Sequence, residues 1–184
     1  MKYNATKLTI ARFRLPQHES VESAEPDDLF QWGLKVFYFQ KNKCLQILNF
    51  ASKLTVFLYD VKIKDTENIP ELLEQNLWTL FQQDEEIHTA LKWYLGQLNS
   101  VVYAPLKNRS IVSSLNYNQT HYLLDGAELL LYLEDGKPNM MQLNAAYNFR
   151  FLVGKKIDGK TDFIVPAEEF KKLLMEMYSS ETAE

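Results

Sequence analysis

The chain has 184 residues, 46% of them apolar and 24% charged, with a net charge of −4. Its 11 Phe, 10 Tyr and 3 Trp give ample ring surface to bury, which excludes disorder over most of the length. A single cysteine, Cys44, excludes an intramolecular disulfide and a multi-cysteine zinc site.

Residues 4–6 precede a mixed segment in which Thr6 can cap a short helix, although Leu8, Ile10 and Phe13 also permit a strand. Residues 16–28 are polar, acidic and hold two prolines, so a long loop is expected. Aromatic and branched residues then predict a strand over 33–39, a polar turn at 41–43 and a second strand over 44–50, together an antiparallel hairpin. Residues 54–63 have high strand propensity, with a short helix as the alternative for their start.

Residues 70–82 are the clearest helix. Ile69, Leu72, Leu73, Leu77, Leu80 and Phe81 recur at helical spacing, Pro70 suits the first turn, and Glu71 and Glu74 suit the positive end of the dipole. A second helix is expected from Asp84 to a stop at Gly96, and a short strand over 101–104. Residues 108–110 open one or two helices with a break near Asp125 and Gly126, and residues 135–138 form a turn. A strand over 147–153, a hairpin turn over 155–160 and a short strand over 163–165 follow. The chain closes on a helix over 166–178, with residues 179–184 frayed. Strands early and late with helices between them give an α+β class, a mainly antiparallel sheet packed on a single layer of helices.

No linker or repeat divides the sequence, and its length suffices for a core, so one domain over residues 1–184 is expected. Residues 1–15 are basic but lack the apolar stretch of a secretion signal, and no run of 18 apolar residues occurs, so no membrane segment and a cytoplasmic location are expected.

Charge is segregated. Residues 1–14 hold four basic residues and no acid, residues 15–30 five acids and no base, and residues 35–64 six lysines and one Asp. Residues 65–91 hold seven acids and no base, and residues 137–160 five bases and one Asp. Either the blocks pair with one another on the surface, or the basic ones converge on one face that steers an anionic partner.

Catalytic signatures are weak. His18, His88 and His121 have no metal-ligand spacing, and no metal or cofactor is expected. Ser113, Ser114, His121 and Asp125 resemble a triad only in composition, since Ser114 lies about 10 Å from His121 on a continuous helix. The six glycines form no phosphate cradle, and Cys44 is expected in the core. The acids at 84–86 fit capping better than an acid/base pair.

The most specific local feature is the Asn-Arg-Ser-Ile-Val-Ser-Ser-Leu-Asn stretch at 108–116, a strand end joined to a helix start. Open backbone N–H groups and the Arg109 fork there would suit an anion, with Asn108, Arg109, Ser110 and Asn116 as candidate ligand-binding residues. The alternative is a capped helix with Arg109 in a structural ion pair. This stretch, with residues 6–8, the aromatic residues 32–39 and residues 44–49, resembles a family of small bacterial proteins of no assigned function. The similarity covers most of residues 1–124 and the last third only loosely. It implies no catalytic residues.

The reading that leads is a non-enzymatic binding or regulatory module acting through a protein partner. The rivals are a small anionic-ligand binder or enzyme around Asn108, Arg109 and Ser110, and nucleic-acid binding through the basic blocks. A pocket lined by Arg109 favours the first rival, a continuous basic face the second, and a large exposed apolar patch the partner.

Overall fold

The computed structural model describes residues 1–16, 26–97, 101–124, 128–157 and 159–182. Most of the acidic loop with His18, the break at Asp125 and Gly126, Asp158 in the last turn and residues 183–184 lie outside the described residues. Among the described residues, no helix is long and apolar enough to cross a membrane.

The chain folds as an α+β protein around a five-stranded sheet. Strand β1 (Lys2–Ala5) leads into helix α1 (Lys7–Phe13), where Thr6 caps as expected, its hydroxyl accepting from the Thr9 amide at 3.3 Å. Strands β2 (Gln31–Phe39) and β3 (Asn42–Asn49) form the expected hairpin, and β4 (Thr55–Leu58) pairs antiparallel with β3. The hairpin turn is shorter than residues 41–43. Gln40 and Lys41 both take left-handed conformations, a two-residue turn whose twist matches that of the strands. Residues 54–63 do not form one strand, because Asp60 turns left-handed and a 3-10 segment begins at Ile63.

Helix α2 (Ile69–Leu80) and helix α3 (His88–Gly96) stand where the periodicity places them, followed by β5 (Val102–Pro105) and α4 (Arg109–Tyr117). A π-helical run, Asn118–Leu124, continues α4, and the short α5 (Glu128–Leu131) precedes the two-residue strands β6 (Leu133–Glu134) and β7 (Lys137–Pro138). Helix α6 (Met140–Arg150), the hairpin β8 (Val153–Ile157) with β9 (Lys160–Ile164), and α7 (Pro166–Thr182) complete the fold.

Further expectations are corrected. Residues 155–157 and 160 are strand rather than hairpin turn, since β8 and β9 pair up to Ile157 opposite Lys160. Residues 147–150 are helical, not strand. Asn139 caps α6 by accepting from the Gln142 amide at 3.1 Å, and Leu143 and Tyr147, one turn apart, bury together. The aromatic alternation of Tyr147, Phe149 and Phe151 imitates a strand, but Leu143 and Tyr147 are wholly buried while Phe149 is 43% exposed. The last helix does not end at 178 but runs to Thr182, where the Ser180 and Thr182 hydroxyls donate back to the Met177 and Tyr178 carbonyls.

Strand order is β4-β3-β2-β1-β5, so β1 is internal, parallel to both β2 and β5. The mixed sheet has helices on both faces rather than in the single layer expected, because Phe37, Cys44, Leu48 and Phe57 give its second face an apolar surface to bury. Tyr3, Trp32, Leu34, Val36, Leu45, Ile47 and Val56 share a core with α1, α2, α3 and α7, the expected helical layer. The opposite face carries Phe37, Cys44 and Phe57 under Tyr122, Leu143 and Tyr147, and Leu48 under Ile111 and Leu115 of α4. Gly33 lets α4 approach. A Cβ there would meet Ile111 Cγ2 at 2.8 Å and Leu115 Cδ1 at 3.3 Å.

Helix α6 seals the outer edge of β4. Asn148 accepts from the Thr55 amide at 2.9 Å and donates to the Thr55 carbonyl at 2.7 Å. One turn earlier, Asn144 does the same to Phe57, at 2.8 and 3.1 Å. Two carboxamides thus supply the bonds that a further strand would give, and the helix covers an edge that would otherwise pair with another chain.

Candidate functional site

The turn after β3 is built by one side chain. Buried Asn49 donates to the Leu29 carbonyl at 2.8 Å and accepts from the Ser52 amide and hydroxyl, both at 3.0 Å. This locks residues 50–53 and brings Lys53 into a left-handed conformation with only 7% of its surface exposed. Its ammonium donates to the Phe50 carbonyl at 3.0 Å. Burial pulls its pKa down from 10.5 to about 8, against the opposing pull of Asp28, and nearby Lys155 lowers it further.

Lys53 lines a cleft of about 530 Å³ between α4 and the β8–β9 hairpin, where it meets Asn108, Ser110, Ser113, Lys155 and Lys156. The volume suits a small molecule. Lys155 is held by Glu169 of α7 at 2.6 Å, both side chains being mostly buried. Asp27 and Asp28 also line the cleft but are engaged. Asp27 accepts from the Leu29 amide at 2.7 Å, and Asp28 from the Gln31 carboxamide at 3.2 Å. The two lysine-rich stretches of the sequence therefore meet here, through Lys53 on one side and Lys155 and Lys156 on the other.

The four residues singled out in the sequence are dispersed. Asn108 and Ser110 line the cleft, whereas Arg109 is exposed and makes no hydrogen bond or ion pair among the described residues. Asn116 lies about 12 Å further along the helix axis and accepts from Lys35 at 2.6 Å. Asn108 is the N-cap, its Oδ1 accepting from the Ser110 and Ile111 amides at 3.0 and 3.2 Å. Those amides are consequently not open to an anion, and the alternative of a capped helix describes this end of α4, though without an ion pair for Arg109. Lys53, Lys155 and Lys156 were not legible as site residues. No local motif marks them, and about a hundred positions separate Lys53 from the other two in the sequence.

The remaining candidates have structural roles. His88 lies 3.0 Å from the Phe81 carbonyl and edge-on to Trp78, and His121 lies against Tyr117. Cys44 is buried, and burial pushes its thiol pKa up. The acidic stretch 65–91 is paired from outside the basic blocks, Lys171 bonding Asp84 and Glu86 at 2.8 and 2.7 Å, and Lys62 bonds Asp60 within its own block.

A second polar region lies beneath α4 and the π-helical run. Gln46 and Asn118 are both fully buried, and neither end of either carboxamide has a hydrogen-bond partner among the described residues. The Tyr147 hydroxyl is likewise unsatisfied. Thr55 and Asn118 are near enough to favour its ionised form, yet burial dominates and raises its pKa.

No protein of established description matches the sequence. Residues 3–169 match the family model described as a domain of unknown function (DUF6933). The chain belongs to that family.

Proposed function

We propose that this protein is a non-enzymatic binding module that holds a small anionic ligand in the cleft between α4 and the β8–β9 hairpin. The observation that carries the reading is the buried Lys53, fixed at the cleft wall beside Lys155 and Lys156. Burying an ammonium that has one carbonyl partner costs stability, and an anion in the cleft offsets that cost. Ser110, Ser113 and Asn108 add neutral polar groups for its remaining oxygens.

The partner-protein reading has less behind it. Exposed apolar side chains sit one or two to an element, on α1, β2, β5, α4, α5, α6 and β9. The nucleic-acid reading is weakened at Lys62, whose charge is paired with Asp60.

Thermal unfolding against inorganic phosphate, pyrophosphate and tricarboxylates tests the proposal. A ligand that binds only the folded state raises the Tm by mass action. The shift should vanish in Lys53→Met, fall in Lys156→Ala and persist in Arg109→Ala. No shift with any anion, or one lost in Arg109→Ala and kept in Lys53→Met, rejects the cleft.

A further inference from the structure

The cleft that holds Lys53 is lined by charges of both signs. Asp27 caps and Asp28 opens the 3-10 turn Asp28–Phe30 that leads into β2, and both side chains are exposed. Each carboxylate gives one oxygen to the fold, Asp27 to the Leu29 amide and Asp28 to the Gln31 carboxamide. The second oxygen of each has no partner among the described residues. On the cationic side, Lys53 donates to one backbone carbonyl, and Lys156 is exposed with no hydrogen bond or ion pair among the described residues.

Asp28 is near enough to Lys53 to pull its pKa upward, yet the two form no ion pair. Lys155 shows the contrasting arrangement in the same cleft, its ammonium closed by Glu169 at 2.6 Å. Charges that serve the fold alone close on each other in that way. Lys53, Lys156, Asp27 and Asp28 instead face one cavity with bonding capacity left over. Two carboxylates at the rim repel a simple anion from the lysines, and an ammonium on the same ligand turns that repulsion into attraction. Phe50, Ile111 and Leu173 add apolar lining, which suits a short carbon skeleton between two charged ends.

We infer that the ligand of this cleft is amphoteric, with its anionic group at Lys53 and Lys156 and an ammonium at Asp27 and Asp28, the charge pattern of an amino acid. This deepens the anion-binding proposal and rests on it for the anionic end.

Calorimetric titration with two pairs of compounds that differ by one ammonium tests the cationic end separately. Glutamate is compared with glutarate, and γ-aminobutyrate with butyrate. The first pair carries the ammonium beside a carboxylate and the second at the far end of the chain, so the pair that is discriminated gives the charge spacing. In at least one pair the amino compound should bind roughly tenfold more tightly. The double variant Asp27→Asn/Asp28→Asn keeps the acceptor oxygens that the turn uses, so it should fold, and its ratio of affinities should fall to about one. Equal affinities within both pairs, or a preference that survives the double variant, overturn the inference. Glutarate or inorganic phosphate that binds all the same, and is lost in Lys53→Met, leaves the anion cleft standing. A preference that persists in Lys53→Met overturns the anion cleft and the inference together, as does absence of binding by every compound.

Discussion

Two helices of this protein press carboxamides against the same sheet, and they treat them in opposite ways. On α6, Asn144 and Asn148 satisfy the edge of β4 completely, four bonds to two residues. Where α4 gives way to the π-helical run, Asn118 lies beside the Tyr147 hydroxyl, and the Gln46 carboxamide bonds nothing among the described residues. Both pairs are buried to the same degree. The difference separates polar groups retained for the fold from polar groups whose bonding capacity is left over.

The comparison breaks most visibly at α6. Asn148→Ala strands the Thr55 amide and carbonyl, and at about 1–3 kcal/mol for each unsatisfied buried group the loss should be about 4 kcal/mol, measured by urea unfolding. A loss below 1 kcal/mol would mean that water replaces the asparagine and that α6 is not the edge seal.

Lys53 sharpens the other side. Its pKa is about 8 in the folded chain and 10.5 when exposed, so between these values the unfolded state holds the proton that the folded state has released. Its contribution to stability therefore rises with pH through that window, by on the order of 3 kcal/mol, and is flat below pH 7. Lys53→Met should lack this rise when unfolding is compared at pH 7 and pH 10. Equal slopes in the two proteins would remove Lys53 from the buried set.

Gly33→Ala places a methyl against Ile111 and should cost about 2 kcal/mol while displacing α4. Anion affinity should fall with it, because Asn108, Ser110 and Ser113 ride on that helix. Unchanged affinity despite the lost stability would show that the cleft does not depend on α4. The smallest effect has the opposite sign. Asn118→Leu removes an unsatisfied buried amide and should stabilise the free protein by about 1 kcal/mol. Destabilisation by that amount would instead reveal a structural partner for Asn118 and align it with Asn144 and Asn148.

Much of the fold was legible because local signals and tertiary packing agree in it. Ile69, Leu73 and Leu77 recur at helical spacing and all face the core, and Pro70 opens the helix that they predict. Helix α6 was illegible because its decisive residues are polar. Nothing in the sequence announces that Asn144 and Asn148 replace a strand, whereas the neighbouring aromatics imitate one. Strand β1 was missed because four residues carry too little periodicity, and both of its partners lie elsewhere in the chain. At the site, the stretch at 108–116 supplies Asn108, Ser110 and Ser113 to one wall of the cleft, whereas Lys53 and Lys156, far apart in the sequence, come together only in the folded chain.

The central position of β1 bears on how the chain acquires its structure in time. Its two parallel neighbours differ greatly in sequence distance, with Tyr3 opposite Trp32 on one side and Tyr103 on the other. Closing the second pair demands a loop of about a hundred residues, so contact order is high at the centre of the sheet, and such pairings form slowly. During synthesis β1 and β2 wait with a bare flank until β5 emerges. In that interval the middle of the sheet is an adhesive surface, and a chaperone that shields short extended segments would find a target there.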